Sequence, residues 1–332
     1  MARARVSAPT ALLLLLAACQ APTATPSRPP ASAIAAPASP SAYVPIVTTG
    51  SPHSVTLIET EPGVMLELLD WGGTGPLLLL LPGMGNTAHI FDDFALAFVD
   101  RWHVVGLSRR GFGASTPPPR SSASYALSAL GTDILRVLEH LGAPRAVFAG
   151  HSFAGEELTW LALEHPERVV ALVYLDAAYD RAAHGKEFAG ASRPEPLTTP
   201  ADFESARAYA AHLSRIMEMP VPLDEIVATF QLDHRGHVVG PAPKGDVITQ
   251  MLSSIISPDY ARIQAPTLAL YANADYWPSD KATVFARERE QLARALPRAR
   301  IITIDHAPHY LYLTHQEQVV RYMREFLGGL GQ

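Results

Sequence analysis

The chain has 332 residues, 48% of them hydrophobic and 17% charged, with a formal net charge of −6 and one cysteine. That length suits one large domain or two small ones. The acidic balance, with no basic stripe of interleaved aromatics, argues against a nucleic-acid partner, and a lone cysteine allows no intramolecular disulfide.

In chain order, Arg3 and Arg5 make a positive start, and Ala11 to Ala18 form an apolar run too short to span a bilayer as a helix. Leu16-Ala17-Ala18-Cys19 resembles a bacterial lipobox. The resemblance implies loss of residues 1–18, acylation of Cys19, and a lipid anchor in the bacterial cell envelope. Stable anchoring takes more than one acyl chain. Gln20 does not resemble the aspartate that retains some lipoproteins at the inner membrane, which favours the outer one. Residues 19–45, rich in Ala, Pro, Ser and Thr, read as an extended tether at about 3.1 Å per residue.

The globular part begins near Val47. Ser54–Thr60 and Val64–Asp70 read as strands around the turn Glu61-Pro62-Gly63. Leu77–Leu81 is a continuous apolar run, the pattern of a strand buried on both faces. Thr87–Phe98 reads as a helix, Trp102–Leu107 as a strand, Ser124–Leu141 as a helix, and Arg145–Ala149 as a strand. Phe153–His165 is helical and Val169–Leu175 is another buried strand. The alternation pauses after Tyr179 and resumes with strand Thr267–Tyr271, helix Asp280–Leu296, strand Arg300–Ile304 and helix Gln316–Leu327. Between them lie amphipathic pieces such as Phe203–Met217 and Leu223–Leu232. The expected class is α/β, with a mostly parallel sheet covered on both faces. Its core would comprise 46–179 and 263–332, and 180–262 would form an inserted helical cap over the sheet's C-terminal edge.

The most informative motif is Gly150-His151-Ser152-Phe153-Ala154-Gly155, set between a strand and a helix. A small-residue turn there projects the serine hydroxyl from the sheet edge, as in a nucleophile elbow, with Ala154 standing where G-x-S-x-G has glycine. Further landmarks follow in order, and together they resemble the capped α/β-hydrolase superfamily over nearly all of residues 55–328.

That resemblance implies the rest of a site. The base belongs to the loop after the last strand, Asp305-His306-Ala307-Pro308-His309-Tyr310-Leu311, where His309 fits better than His306. The acid belongs after the preceding strand, where Leu270-Tyr271-Ala272-Asn273-Ala274-Asp275 points to Asp275; Asp176, ending Val169–Leu175, is the competitor, with a structural role as its simpler reading. The oxyanion hole draws on the N–H groups of Phe153 and Met84, the latter in Leu81-Pro82-Gly83-Met84-Gly85-Asn86. Gly83, Gly85, Tyr276 and Trp277 adjoin these positions and are expected to meet substrate. Ser108-Arg109-Arg110-Gly111-Phe112-Gly113-Ala114-Ser115 resembles a structural loop of the superfamily and is assigned no chemistry.

A serine nucleophile implies acyl transfer with no metal or cofactor: hydrolysis of a small or medium carboxylic ester through an acyl-enzyme on Ser152. Amide, lactone or cofactor-free perhydrolase chemistry would use the same Ser152–Asp275–His309 triad. A tethered ligand-binding protein on a hydrolase fold is the alternative outside enzymes. His234 and His237 form an H-x-x-H without a completing cluster, so zinc is not expected. Glu156 and Glu157, after the elbow, read as acids favourable to a helix N-terminus, with a tuning role for Glu156 as the sharper reading. Leu213, Ile216, Met217, Met219 and Val221 could line an acyl pocket, although cap core is the simpler reading.

Overall fold

The computed structural model describes residues 52–118, 123–183, 199–217, 219–241, 245–255, 257–273 and 279–330. The expected leader 1–18, Cys19 and the tether 19–45 lie outside the described residues, as do Asp275, Tyr276 and Trp277. Among the described residues no helix is long and apolar enough to cross a membrane.

Ten strands are described: β1 (Ser54–Glu61), β2 (Val64–Gly72), β3 (Leu77–Leu81), β4 (His103–Ser108), β5 (Ala146–His151), β6 (Val169–Leu175), β7 (Phe230–Leu232), β8 (Val238–Pro241), β9 (Thr267–Tyr271) and β10 (Arg300–Thr303). Eight form one sheet in the order β1-β2-β4-β3-β5-β6-β9-β10. The β1–β2 and β2–β4 pairs are antiparallel, and every later pair is parallel. The parallel strands therefore deliver the loops after β3, β5, β6, β9 and β10 to one edge. That is where α/β sheets bind ligands.

The leucines of β3 show why this sheet needs cover on both faces. All five are buried; Leu77, Leu79 and Leu81 join one core cluster, and Leu78 and Leu80 the other. Side chains alternate along a strand, so an unbroken apolar run supplies two cores at once. The covering helices include α1 (Asp92–Ala95), α2 (Leu127–His140) and α3 (Ala154–Glu164). After the last strands come α7 (Ser279–Ala295), α8 (Leu311–Thr314) and α9 (Gln316–Gly328).

Between β6 and β9 the described chain carries α4 (Ala206–Met217), α5 (Leu223–Thr229), the β7–β8 hairpin and α6 (Gly245–Ser253). The amphipathic piece Leu223–Leu232 is helical only in part: α5 stops at Thr229, and Phe230–Leu232 pairs antiparallel with Val238–Pro241. The turn chemistry explains this. Asp233 accepts from the backbone N–H of Arg235 and of His237 at 2.8 and 2.9 Å, and Gly236 takes φ 85°. His237 spends its Nδ1 on Asp233 at 3.1 Å, so half of the H-x-x-H belongs to a hairpin turn.

Candidate active site

The elbow forms where expected. β5 runs into Ser152, which holds φ 53°, and α3 begins two residues later. A non-glycine residue in left-handed backbone costs about 1–3 kcal/mol and persists only where its surroundings hold it. Here neighbouring atoms leave no room for a longer turn. A Cβ on Gly150 would stand 2.8 Å from Ala154 Cβ and from Leu158 Cδ1, and one on Gly155 would stand 2.0 Å from the Ala177 carbonyl oxygen. Glycine is thus required at 150 and 155, while position 154 accommodates alanine.

His309 sits in the loop after β10 and is half-buried, whereas His306 is exposed and holds φ 59°. The carboxylate described beside His309 is Asp176: His309 Nδ1 lies 2.6 Å from Asp176 Oδ2. Asp176 directly follows β6, is 0% exposed and holds φ 51°. Its Oδ1 accepts from the Ala272 backbone N–H at 2.9 Å and from the Tyr179 hydroxyl. Its own N–H donates to the Leu270 carbonyl at 2.7 Å. Asp275, the expected partner of His309, lies outside the described residues. Asp176 is wholly buried, with Oδ1 on the Ala272 amide and the Tyr179 hydroxyl and Oδ2 on the imidazole, so the structural and the histidine-facing readings hold together. His151 lies beneath, with ring centroids 4.5 Å from His309 and Nε2 3.1 Å from the His309 carbonyl oxygen. Burial, then the nearby His309, push the His151 imidazole well below its ordinary pKa, which fits a neutral ring donating through Nε2.

The loop after β3 packs onto the elbow. A Cβ on Gly83 would stand 2.8 Å from His151 Nδ1 and 3.3 Å from Ser152 Cβ, so glycine lets this backbone approach the serine. Gly85 holds φ 85°. Met84 and Phe153 are buried together with Phe112, Tyr125, Leu130, Val247 and Met251. The last two belong to α6, so the segment between β6 and β9 covers the side chains of both expected oxyanion donors.

Arg109, which the sequence reading left without chemistry, holds this loop in place. Its guanidinium donates to the Pro82 and Gly83 carbonyls at 2.6 and 3.1 Å and forks onto Glu157 at 2.6 and 2.5 Å. A planar fork can engage a carboxylate and two carbonyls at once. Glu156 is likewise buried and pairs with Arg181 at 3.1 Å, and burial pushes its pKa up to about 7. Both acids therefore do more than face a helix dipole.

One group among the described residues has metal-ligand types at close range: His53, His89 and Asp92, with ligand atoms within 4.8 Å of one another. Asp92 Oδ1 already lies 2.6 Å from His53 Nδ1 and accepts from Trp71 Nε1 at 3.0 Å. Burial alone would lower the His89 pKa, but Asp92 and Glu67 outweigh it and push it up to about 10. As described, these side chains pair with one another: His53 with Asp92, and His89 with both Asp92 and Glu67.

Parallel strands delivering a left-handed serine, a histidine–aspartate pair and a glycine-bearing loop to one edge define an α/β hydrolase. The profile of the alpha/beta hydrolase fold family matches residues 76–316, and the chain belongs to that family. RutD of Pseudomonas savastanoi pv. phaseolicola, whose given name assigns it carbamate hydrolysis, is 26% identical over 259 residues, covering 76% of this chain and 93% of RutD. The polyketide synthase ThaQ of Burkholderia thailandensis is 30% identical over 299 residues, covering 85% of this chain; the chain spans only 13% of that much longer protein. The crystal structure of E-2-(acetamidomethylene)succinate hydrolase shares the fold, with TM-score 0.66 and 19% identity over 83% of this chain and all of that one. The family and its hydrolase relatives make the chain a hydrolase.

Proposed function

We propose that this chain is a serine hydrolase that cleaves a small or medium carboxylic ester, with Ser152 as nucleophile, His309 as base and Asp176 as the acid. The observation that carries the reading is the 2.6 Å contact between His309 Nδ1 and the buried Asp176 carboxylate. A carboxylate in that place fixes the tautomer and stabilises the imidazolium formed during attack.

In this reading His309 Nε2 takes the Ser152 proton as Oγ bonds to the ester carbonyl carbon. The oxyanion is met by the N–H groups of Met84 and Phe153. Collapse breaks the bond to the alkoxide, which leaves as the alcohol with the proton from His309. Water then gives a proton to His309 and attacks the acyl carbon. The second collapse releases the acid, and the proton returns to Ser152.

The substrate class follows from the surroundings. Met84, Phe153, Val247 and Met251 make the neighbourhood of the oxyanion donors apolar, which suits an uncharged acyl or alkyl group. Leu213, Met217, Met219 and Val221 border a cavity beside Asn86 and Tyr310, and they also pack into neighbouring core clusters. The likeness to RutD makes a carbamate the second substrate to try on the same residues.

Hydrolysis of p-nitrophenyl esters from acetyl to dodecanoyl, with Ser152→Ala as control, tests the reading. Turnover that disappears in the control is expected, with an optimum that sizes the pocket. Equal rates for both proteins would end it.

A further inference from the structure

We propose that Glu225 is a positioning residue that clamps the oxyanion loop from the segment between β6 and β9, so that the Met84 N–H is set for catalysis only while that segment is seated. The proposal rests on the serine-hydrolase reading above.

Glu225 lies on α5, is 2% exposed, and stands 138 residues along the chain from the loop it touches. Its Oε1 accepts from Asn86 Nδ2 at 2.8 Å and from the Thr87 N–H at 3.1 Å. Its Oε2 accepts from Thr87 Oγ1 at 2.5 Å and from the same N–H at 3.3 Å. Thr229, one turn along α5, adds a fourth donor at 3.1 Å. Leu213, Met217, Met219, Ile226 and Phe230 line the same cavity with Tyr310, and the His89 imidazole acts on the carboxyl from nearby. A buried carboxyl is expensive unless its oxygens are met, and a residue serving only to pack there would be apolar. Three of the four donors belong to Asn86 and Thr87.

Asn86 carries the clamp onward. Its Oδ1 accepts from the Tyr310 hydroxyl at 3.0 Å, and Tyr310 follows His309 in the chain. The other end of the loop is held at the Pro82 and Gly83 carbonyls by Arg109. Met84 thus lies between two anchors, one built by the sheet and α3, the other by α5. An oxyanion donor acts through its placement, and a shift of about 1 Å can cost 10²-fold in rate. Releasing the α5 anchor should therefore lower the rate of bond making with little change in ground-state binding.

The test measures labelling of Ser152 by an alkyl fluorophosphonate, followed by intact mass, for wild type, Ser152→Ala, Glu225→Gln and Glu225→Ala. kcat and KM on p-nitrophenyl butyrate and Tm are measured alongside. Glu225→Ala is expected to label about 30–100-fold more slowly, with kcat falling in parallel and KM within about threefold. Glu225→Gln, which keeps one acceptor oxygen and the side-chain shape, is expected to fall between it and wild type. If Glu225→Ala does not fold, Glu225→Gln carries the test. A variant that melts early yet labels at the wild-type rate while folded overturns the proposal, as does a loss confined to KM. Wild type that fails to label removes the serine-hydrolase reading and this proposal with it; wild type that labels beside unimpaired Glu225 variants removes the clamp alone.

Discussion

Ser152 and Asp176 directly follow the neighbouring parallel strands β5 and β6, and both hold left-handed backbone without being glycine. The Ser152 N–H donates to the Leu175 carbonyl at 3.3 Å, so the two turns are joined as well as adjacent. Left-handed backbone is stored strain, and it persists at these two residues where the chain leaves the strands. The serine was legible because its turn has a composition of its own: small residues, an apolar strand before, a helix after. His309 was legible from its place in the final loop. The contact between His309 and Asp176 was not, because Asp275 and Asp176 both follow buried strands and sequence alone does not separate them. The one local hint lay in Asp176-Ala177-Ala178, small residues that let the turn press against Gly155.

At the scale of elements, the loop after β3 is fixed by partners far away in sequence. Arg109 follows β4 and Glu157 belongs to α3, and their buried fork holds the loop after β3. No period or motif connects positions 48 residues apart, so the sequence reading saw only a structural loop and a pair of helix acids. Arg109→Ala would strand a buried Glu157 carboxylate and cost about 3–5 kcal/mol of stability. Arg109→Lys keeps the charge but not the fork, and is expected to fold with kcat on p-nitrophenyl butyrate reduced by about tenfold or more. Wild-type kcat in that variant would show that the loop needs no such anchor. The β7–β8 hairpin was missed for a related reason: Leu223–Leu232 has helical spacing, and the Asp233 turn that ends it acts through side-chain acceptance from backbone N–H groups.

Over the whole molecule the architecture was the most legible level, since strand–helix alternation and the all-leucine β3 already require a doubly covered sheet. Its buried acids give stability a pH dependence. Burial pushes the Glu225 pKa from 4.5 up to about 7, despite the donors that oppose it. Between those values the native state keeps a proton that the unfolded chain has released. The stability held by this group is therefore full below about pH 4.5 and falls as the pH rises to about 7. Glu156 shifts the same way and is present in both proteins of the comparison that isolates Glu225. Urea unfolding at pH 5 and pH 7 should show wild type losing stability relative to Glu225→Gln, at up to about 1.4 kcal/mol per pH unit. A difference that stays constant between the two pH values would mean that Glu225 does not titrate in that window.

The central claim is that Ser152 acts through His309 held by Asp176, and kcat/KM for Asp176→Asn beside Asp275→Asn tests it most directly. On the best ester found for wild type, Asp176→Asn is expected to lose about 10³–10⁴-fold, because the wrong tautomer of His309 is then favoured. Asp275→Asn is expected to stay within a few fold of wild type. The reverse pattern, a crippled Asp275→Asn and an active Asp176→Asn, would contradict the account and return the acid to the loop after β9.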